Sequence, residues 1–180
     1  MITDVHERWL AAPPAAVGRL LDDLGGPDDR LWPTRRWPAM RLDRPLSVRA
    51  RGGHGPIRYH VDTYRAGSVV RFTFERPTGF HGHHEYLVVP SSSGTVLRHS
   101  LVMRTSGTAR LSWPLLFGPL HDALIEDSLD QAAKSLDLHV ARPRRWSRRV
   151  RALRVVAGWL AREVDGVSRS LPAQQRRSTG

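Results

Sequence analysis

The chain has 180 residues, a formal net charge of +11 at pH 7 and no cysteine. The absence of cysteine excludes a disulfide, a thiol nucleophile and a cysteine-based zinc site. No apolar run approaches the ~20 residues of a membrane-spanning helix, and the N-terminus lacks the charged-then-apolar pattern of a signal peptide. We therefore expect a cytoplasmic protein.

The positive charge is concentrated at the C-terminal end. From His139 to Gly180 there are 11 arginines and no lysine against two acidic residues, whereas residues 1–138 hold 17 basic and 15 acidic residues. A near-neutral segment can fold around a core, and a strongly basic one suits an anionic surface. We predict a ligand-binding domain over residues 1–138, and a basic amphipathic helix with a flexible tail over residues 139–180.

The N-terminal segment predicts a strand followed by a short helix. Residues Thr3 to Leu10 mix polar and apolar side chains and end at Pro13-Pro14, since proline cannot donate to a sheet but fits the first turn of a helix. The next apolar residues recur at helical spacing and stop before Gly25-Gly26-Pro27. They are Val17, Leu20, Leu21 and Leu24.

Between Ala39 and Thr105 the hydrophobic period changes to two, which is typical of antiparallel strands with one covered face. A turn through Ser91 to Gly94 places Tyr86 opposite His99 and His84 opposite Leu101. Apolar residues then recur at helical spacing from Leu116 to Leu136. This pattern predicts a long helix that covers the sheet and leaves a space beneath it.

The order of strand, short helical insert, antiparallel strands and long helix resembles the helix-grip fold of the START-like (SRPBCC) superfamily of polyketide cyclases and lipid-transport proteins. Ala12-Pro13-Pro14-Ala15-Ala16-Val17 and Leu20-Leu21-Asp22-Asp23 look like that superfamily's entry to its first helix. Gly79-Phe80-His81-Gly82-His83-His84-Glu85-Tyr86 is similar to a segment of an actinobacterial branch. The resemblance covers residues 3–138. It implies an α+β fold in which a curved antiparallel sheet wraps around a long C-terminal helix, with a cavity for a hydrophobic or aromatic ligand.

The leading functional hypothesis is binding or carriage of a small lipophilic molecule such as a lipid, polyketide or aromatic metabolite. No nucleophile elbow and no phosphate-binding loop is present. An alternative is a cyclase or dehydratase in which His84, His99 and Tyr59 handle protons. These three residues could instead be core polar residues that are bonded to neighbours. The expected cavity lining is Tyr59, Val61, Phe72, Phe74, His84, Tyr86, His99, Leu101, Met103, Leu120 and Leu124.

Clustered histidines raise the question of a metal site. On a strand, residues i and i+2 share a face, so His81 and His83 could pair while His84 points away. We interpret His81 and His83 as solvated strand-end residues, and we expect neither a metal nor a cofactor. The acidic residues around the first turn are interpreted as helix caps. They are Asp22, Asp23, Asp28 and Asp29.

The tail carries one apolar stripe at helical spacing, formed by Trp146, Val150, Leu153, Ala157, Leu160 and Val164. Its arginines suggest that the helix contacts the inner face of an anionic membrane. Docking on its own domain or on a partner is an alternative, and nucleic acid fits less well because no reader fold is recognisable. The sequence does not indicate an oligomeric state. The expected surface-binding residues are Arg145, Arg148, Arg149, Arg151, Arg154, Trp146 and Trp159.

Overall fold

The computed structural model describes residues 1–140, 143 and 145–155. The chain divides into two units, Met1–Arg145 and Trp146–Gly180. The predicted boundary between residues 138 and 139 stays a prediction. The first unit contains, in chain order, β1 (Ile2–Leu10), α1 (Pro14–Asp22), β2 (Arg41–Leu42), β3 (Arg51–His54), β4 (Ile57–Arg65), β5 (Val69–Arg76), β6 (Phe80–Ser91), β7 (Gly94–Thr105), α2 (Ala109–Ser112), a π-helical segment (Trp113–Phe117) and α3 (Gly118–Ser135).

All seven strands form one curved antiparallel sheet in the order β1-β7-β6-β5-β4-β3-β2. The first strand pairs with the last, so α1 and the loop up to β2 connect the two edges of the sheet. The long helix α3 covers the concave face. The predicted α+β helix-grip architecture is therefore confirmed.

The predicted register of the central hairpin is also confirmed. Strands β6 and β7 meet at Ser91 and Gly94, Tyr86 lies opposite His99, and His84 lies opposite Leu101. Buried and half-buried positions alternate along β7, so alternate side chains face α3. The irregularities in register that the structure shows between β4 and β5 fall at Arg58/Tyr59 and Val61/Thr63, away from this hairpin.

The core lies between the sheet and the helices. Helix α3 contributes buried Leu124, Ile125 and Leu129, and α1 contributes Leu20 and Leu21. Leu129 follows Ile125 by four positions, and buried Val17 precedes Leu20 and Leu21 by three and four, so each helix turns one apolar stripe toward the sheet.

Helix α1 approaches the turn between β4 and β5 very closely. A Cβ atom at Gly18 would lie 2.7 Å from the Cα atom of Gly67, so a larger residue has no room at this contact. The turn is also fixed by Asp22, whose carboxylate accepts hydrogen bonds from the Tyr64 hydroxyl at 3.0 Å and the Gly67 amide at 2.7 Å. The interpretation of Asp22 as a helix cap is corrected, since its carboxylate holds a turn of the sheet and caps no helix end among the described residues.

In the second unit, residues 148–155 are helical. The Ser147 hydroxyl accepts a hydrogen bond from the Val150 amide at 3.2 Å, the usual arrangement at a helix start. The short helix agrees with the predicted extra C-terminal helix. Among the described residues, no helix combines the length and hydropathy that crossing a membrane requires.

Candidate functional site

A row of polar rings runs through the interior between the sheet and α3. The Tyr59 hydroxyl and His54 Nδ1 share a hydrogen bond of 3.2 Å, and His84 Nδ1 and His99 Nε2 share another of 3.2 Å. The ring centroids of Tyr59 and His84 are 5.2 Å apart, and those of His99 and His121 are also 5.2 Å apart. The row therefore links β3, β4, β6, β7 and α3.

The three predicted proton-handling residues lie together in this row. Tyr59, His84 and His99 are all buried, and His84 packs between the rings of Phe72 and Phe74 at centroid distances of 5.1 and 5.2 Å. Desolvation by these neighbours lowers the pKa of His84 and of His99 well below the usual value of 6.5. Both imidazoles are therefore neutral at physiological pH.

The pair His84–His99 has one unpartnered nitrogen at each end. A neutral imidazole carries one N–H and one bare nitrogen, so whichever ring donates, the outer atoms are one donor and one acceptor. These outer atoms, His84 Nε2 and His99 Nδ1, are buried and have no hydrogen-bond partner among the described residues. Such an atom costs about 1–3 kcal/mol of stability. The pair therefore offers a donor and an acceptor to a group from outside the chain.

The two buried tyrosines differ in their availability. The Ser128 hydroxyl donates to the Leu31 carbonyl at 3.1 Å, so Tyr86, 2.9 Å from Ser128, donates its own proton to that hydroxyl. Tyr86 is thus satisfied within the fold. Burial raises the pKa of Tyr59 well above 10, so its hydroxyl stays protonated and keeps an accepting lone pair beyond its bond with His54.

The predicted open cavity is filled by side chains in this structure. Tyr59, Phe72, Tyr86, His99 and Leu101 are each 0% exposed, which leaves no water-sized space against them. Concavities of about 580 and 320 Å³ lie elsewhere on the surface, beside the turn at residues 23–30 and the turn at residues 11–14. The expectation of a preformed hollow is therefore corrected, because side chains of the sheet reach α3: the Tyr86 hydroxyl lies 2.9 Å from Ser128, and the rings of His99 and His121 are 5.2 Å apart.

The remaining predicted lining residues also face the interior, but some of them are more exposed to solvent. Val61, Met103 and Leu124 are buried, whereas Phe74 and Leu120 are half-buried. Leu120 lies in the first turn of α3, next to the π-helical segment. That end of the interior is thus the less tightly closed one.

Aromatic side chains close this end. The Phe80 ring contacts Phe74, Trp113 and Phe117 at centroid distances of 5.9, 5.6 and 5.2 Å. Trp113 and Phe117 belong to the π-helical segment, a geometry that is frequent at functional sites. On the outer side of the same segment, Leu115 is 61% exposed. The roof of the interior is therefore a short irregular helical segment with apolar side chains inside and out.

The histidines at the start of β6 are placed as predicted. His81 is exposed and bonds the Ser106 hydroxyl at 2.9 Å, and His83 is half-buried. In the acidic turn, the Asp29 carboxylate accepts hydrogen bonds from the amides of Gly25, Leu31 and Trp32. Asp29 therefore holds the loop together, and its interpretation as a helix cap is corrected because no described helix begins or ends at these amides.

Sequence reasoning missed a polar cluster at the seam between β1 and α3. Both imidazole nitrogens of His6 are engaged: Nδ1 lies 2.8 Å from Glu126 Oε1 and Nε2 lies 3.0 Å from Asp4 Oδ2. His121 Nδ1 lies 3.2 Å from the same Asp4 oxygen. Arg8 bonds Glu126 at 3.2 Å. Four side chains here, Asp4, His6, His121 and Asp122, place one donor atom each within 4.8 Å of one another.

The seam is strongly coupled electrostatically. The imidazoles of His121 and His6 beside Asp4 hold the pKa of that carboxyl well below its usual range. The carboxylates of Asp4 and Glu126 raise the pKa of His6 to about 9, although burial opposes the shift. The sequence carried a signal for this cluster, because Asp4, His6 and Arg8 alternate along a strand whose inner face is covered.

The basic residues predicted for surface binding are described in part. Arg145, Arg148, Arg149 and Arg151 are exposed, and the Arg154 guanidinium lies 4.5 Å from the centre of the Trp146 ring. This stacking is a cation–π contact. Trp159 lies outside the described residues, as do the last three positions of the predicted apolar stripe.

Solved structures with the same architecture are known, although no family model and no curated protein sequence matches the chain. A protein from Thermobifida fusca has 17% identity and a TM-score of 0.57, over 79% of this chain and 99% of that chain. CalU16 from Micromonospora echinospora has 13% identity and a TM-score of 0.55, over 90% of this chain and 87% of that one. Ara h 8.0201 has 11% identity and a TM-score of 0.52, over 74% and 98%.

These similarities are similarities of fold. They agree with the predicted helix-grip architecture, whereas membership of the START-like superfamily stays a prediction. The resemblance to an actinobacterial branch stays a prediction.

Proposed function

We propose that the protein binds a small, largely hydrophobic or aromatic molecule between the sheet and α3, with a polar group of the ligand at the His84–His99 pair. The observation that carries this proposal is the pair of buried nitrogens that lack partners among the described residues, His84 Nε2 and His99 Nδ1. A ligand carbonyl or hydroxyl would satisfy one or both, while the surrounding aromatic rings would contact its apolar part.

Because the interior is packed, binding requires part of it to move. The π-helical roof is the best candidate, since it contacts the interior mainly through the rings of Trp113 and Phe117. Gly107 has φ +55°, and a Cβ atom added there would meet no other atom within 4 Å, so no side chain of the described residues packs against this position before the roof. Displacing these rings would open a path toward Phe74 and His84.

Native mass spectrometry of the full chain purified from its own host tests the proposal. We expect an added mass that disappears on denaturation and belongs to a lipophilic compound. A variant with His84→Leu and His99→Leu should lose most of this mass, while the matched control His81→Gln, on the exposed face of the same strand, should keep it. Absence of any co-purified compound, together with no saturable binding of a naphthalene-based fluorescent probe, would contradict carriage.

The second candidate function is a cyclase or dehydratase, and the neutral state of the two imidazoles favours it. A neutral imidazole can accept a proton at one nitrogen while the other is held in place, as His84 Nδ1 and His99 Nε2 hold each other. The protonated Tyr59 hydroxyl supplies an acid beside them. His84→Gln and His99→Gln should each slow turnover of a polyketide substrate by about 10²–10⁴-fold. Unchanged rates would remove both residues from a mechanism.

For the basic helix we propose peripheral contact with the cytoplasmic face of an anionic membrane. Arg148, Arg149 and Arg151 are exposed, and each arginine near such a surface contributes ~1 kcal/mol before screening. Replacing all three with glutamine should weaken sedimentation with anionic vesicles by about 3 kcal/mol of binding free energy. A control with the same charge change on the first unit, R35Q/R41Q/R104Q, should bind nearly as the parent does. Equal losses in both variants would point to net charge rather than this helix.

A further inference from the structure

We propose that the seam between β1 and α3 is a binding site for a divalent first-row transition metal such as Zn²⁺. Imidazole nitrogens together with carboxylate oxygens are donors that this class of ion accepts. The proposed ligands come in two pairs, one from the strand and one from the helix. They are Asp4, His6, His121 and Asp122. This inference is independent of the ligand proposed for the interior.

All six distances among the four donor atoms are within 4.8 Å, and four of them can be compared with those of a tetrahedral zinc site. His6 Nε2 lies 3.0 Å from Asp4 Oδ2 and 4.0 Å from Asp122 Oδ1. His121 Nδ1 lies 3.2 and 3.7 Å from the same two oxygens. Zinc–ligand bonds of about 2.0–2.2 Å in a tetrahedron put the ligand atoms about 3.3–3.6 Å apart. The observed distances bracket this range, so small side-chain rotations complete the geometry.

A supporting shell already orients one ligand. His6 Nδ1–H donates to Glu126 Oε1 at 2.8 Å, which leaves Nε2 directed at the proposed ion. Metal-binding histidines usually donate their second nitrogen to a carboxylate in this way, because the bond fixes the tautomer and raises basicity. Arg8 holds Glu126 Oε2 at 3.2 Å and Asp130 at 2.6 Å, so Glu126 is fixed in turn.

The charges and the exposure of the cluster also suit a cation. A bound ion takes the place of the imidazole proton at His6 Nε2, and with both imidazoles neutral the two carboxylates of the site carry a charge of −2, which a divalent ion balances. The side chain of His6 is 8% exposed and that of His121 is 15% exposed, whereas that of Asp122 is 54% exposed. The two imidazole ligands are therefore shielded from solvent, whereas the Asp122 carboxylate is accessible, so an ion can enter from solvent beside Asp122.

A simple ion pair accounts for part of the cluster. It explains His6 between Asp4 and Glu126. It leaves both buried nitrogens of His121 without a hydrogen-bond partner among the described residues, although Nδ1 lies 3.2 Å from Asp4 Oδ2 and 3.7 Å from Asp122 Oδ1. A shared cation explains all four positions at once.

Zinc titration of the full chain tests the site. After dialysis against a chelator, the protein would be titrated with Zn²⁺ in competition with a chromogenic chelator, and with Co²⁺, whose visible absorption reports tetrahedral coordination. We expect one tightly bound ion per chain and a tetrahedral Co²⁺ spectrum. Glu126→Gln should weaken affinity by about 10–100-fold and keep the spectrum.

The ligand variants decide the outcome. His121→Ala and Asp122→Asn should weaken Zn²⁺ affinity more than Glu126→Gln does and should alter the Co²⁺ spectrum. The control His81→Ala, an exposed histidine on β6, should bind as the parent does. Because Asp122 is largely exposed, its variant should also keep the melting temperature of the metal-free protein. Unchanged zinc binding in both ligand variants, binding lost equally in His81→Ala, or no tightly bound ion in the parent would each overturn the proposal.

Discussion

Acidification should destabilise this fold through the His84–His99 pair. In the folded protein burial keeps both imidazoles neutral, since it lowers the pKa of each well below 6.5. In the unfolded chain both take up a proton below about pH 6.5. The stability that depends on their neutral state is therefore present above that pH and is lost as the pH falls.

The size of the loss follows from the linkage between protonation and folding. For a histidine with an unfolded pKa of 6.5 that stays neutral when folded, going from pH 7.5 to pH 5 costs about 2 kcal/mol, so the pair costs about 4 kcal/mol. That is a large part of the roughly 5–15 kcal/mol that holds a typical domain folded. The groups that face the pair are Tyr59, Tyr86 and His121. Both tyrosines stay uncharged over this interval.

Urea unfolding followed by tryptophan fluorescence, at pH 7.5 and pH 5 with a chelator present, measures the effect. The parent should lose about 4 kcal/mol more than the variant His84→Leu/His99→Leu, and each single variant should recover about half of this. His6 does not add to the loss: its pKa is raised to about 9, so its stabilisation is fully present below pH 6.5 and disappears as the pH rises through 9. Equal pH dependence in parent and double variant would refute the argument that these imidazoles are buried and neutral.

Three further substitutions test the packing around the site by the same unfolding assay at pH 7.5. Tyr86→Phe removes the bond to Ser128 and should cost about 1 kcal/mol, with no loss expected if Tyr86 were solvated. Trp37→Phe removes the indole N–H that donates to the buried Asp127 carboxylate at 2.8 Å and should lower the free energy of unfolding by about 1.5–3 kcal/mol. An unchanged free energy of unfolding would show that this hydrogen bond does not stabilise the fold. Gly18→Ala forces a methyl group into the turn between β4 and β5 and should cost about 1–3 kcal/mol, so unchanged stability would show that α1 can move away.

Most of the sheet could be predicted from the sequence because its strands are long and alternate strictly. The period of two fixes which side chains share a face, and the tight turn at Ser91–Gly94 fixes the register of the strands on either side. Tyr86 therefore had to face His99. The edge strand β2 and its neighbour β3 are short and carry no comparable pattern, and β3 contains two glycines.

The filled interior could not be predicted in the same way. The alternation of residues along the strands shows that Phe72, His84 and His99 point toward α3, but it does not give the distance between helix and sheet. That distance depends on the rotamers of the large rings and on how closely α3 packs against the sheet. Here the sheet and α3 are in direct contact, since the Tyr86 hydroxyl lies 2.9 Å from Ser128 and the rings of His99 and His121 are 5.2 Å apart. A hollow and a packed core are therefore compatible with one sequence pattern.

The seam was missed because its two halves lie far apart in the chain, with His6 and Glu126 separated by 120 positions, yet their spacings match. Alternate residues of a strand rise about 6.8 Å, and residues four apart on a helix rise about 6.0 Å. Alternate residues of β1 therefore lie beside acidic residues of α3 that are four positions apart. Glu126 bonds both His6 and Arg8, and Asp130 pairs with Arg8. Once β1 and α3 are known to be neighbours, the polar inner face of this edge strand and the acidic residues at intervals of four on the helix together predict the cluster. Neither half predicts the other beforehand, because each alone is typical of a solvated surface.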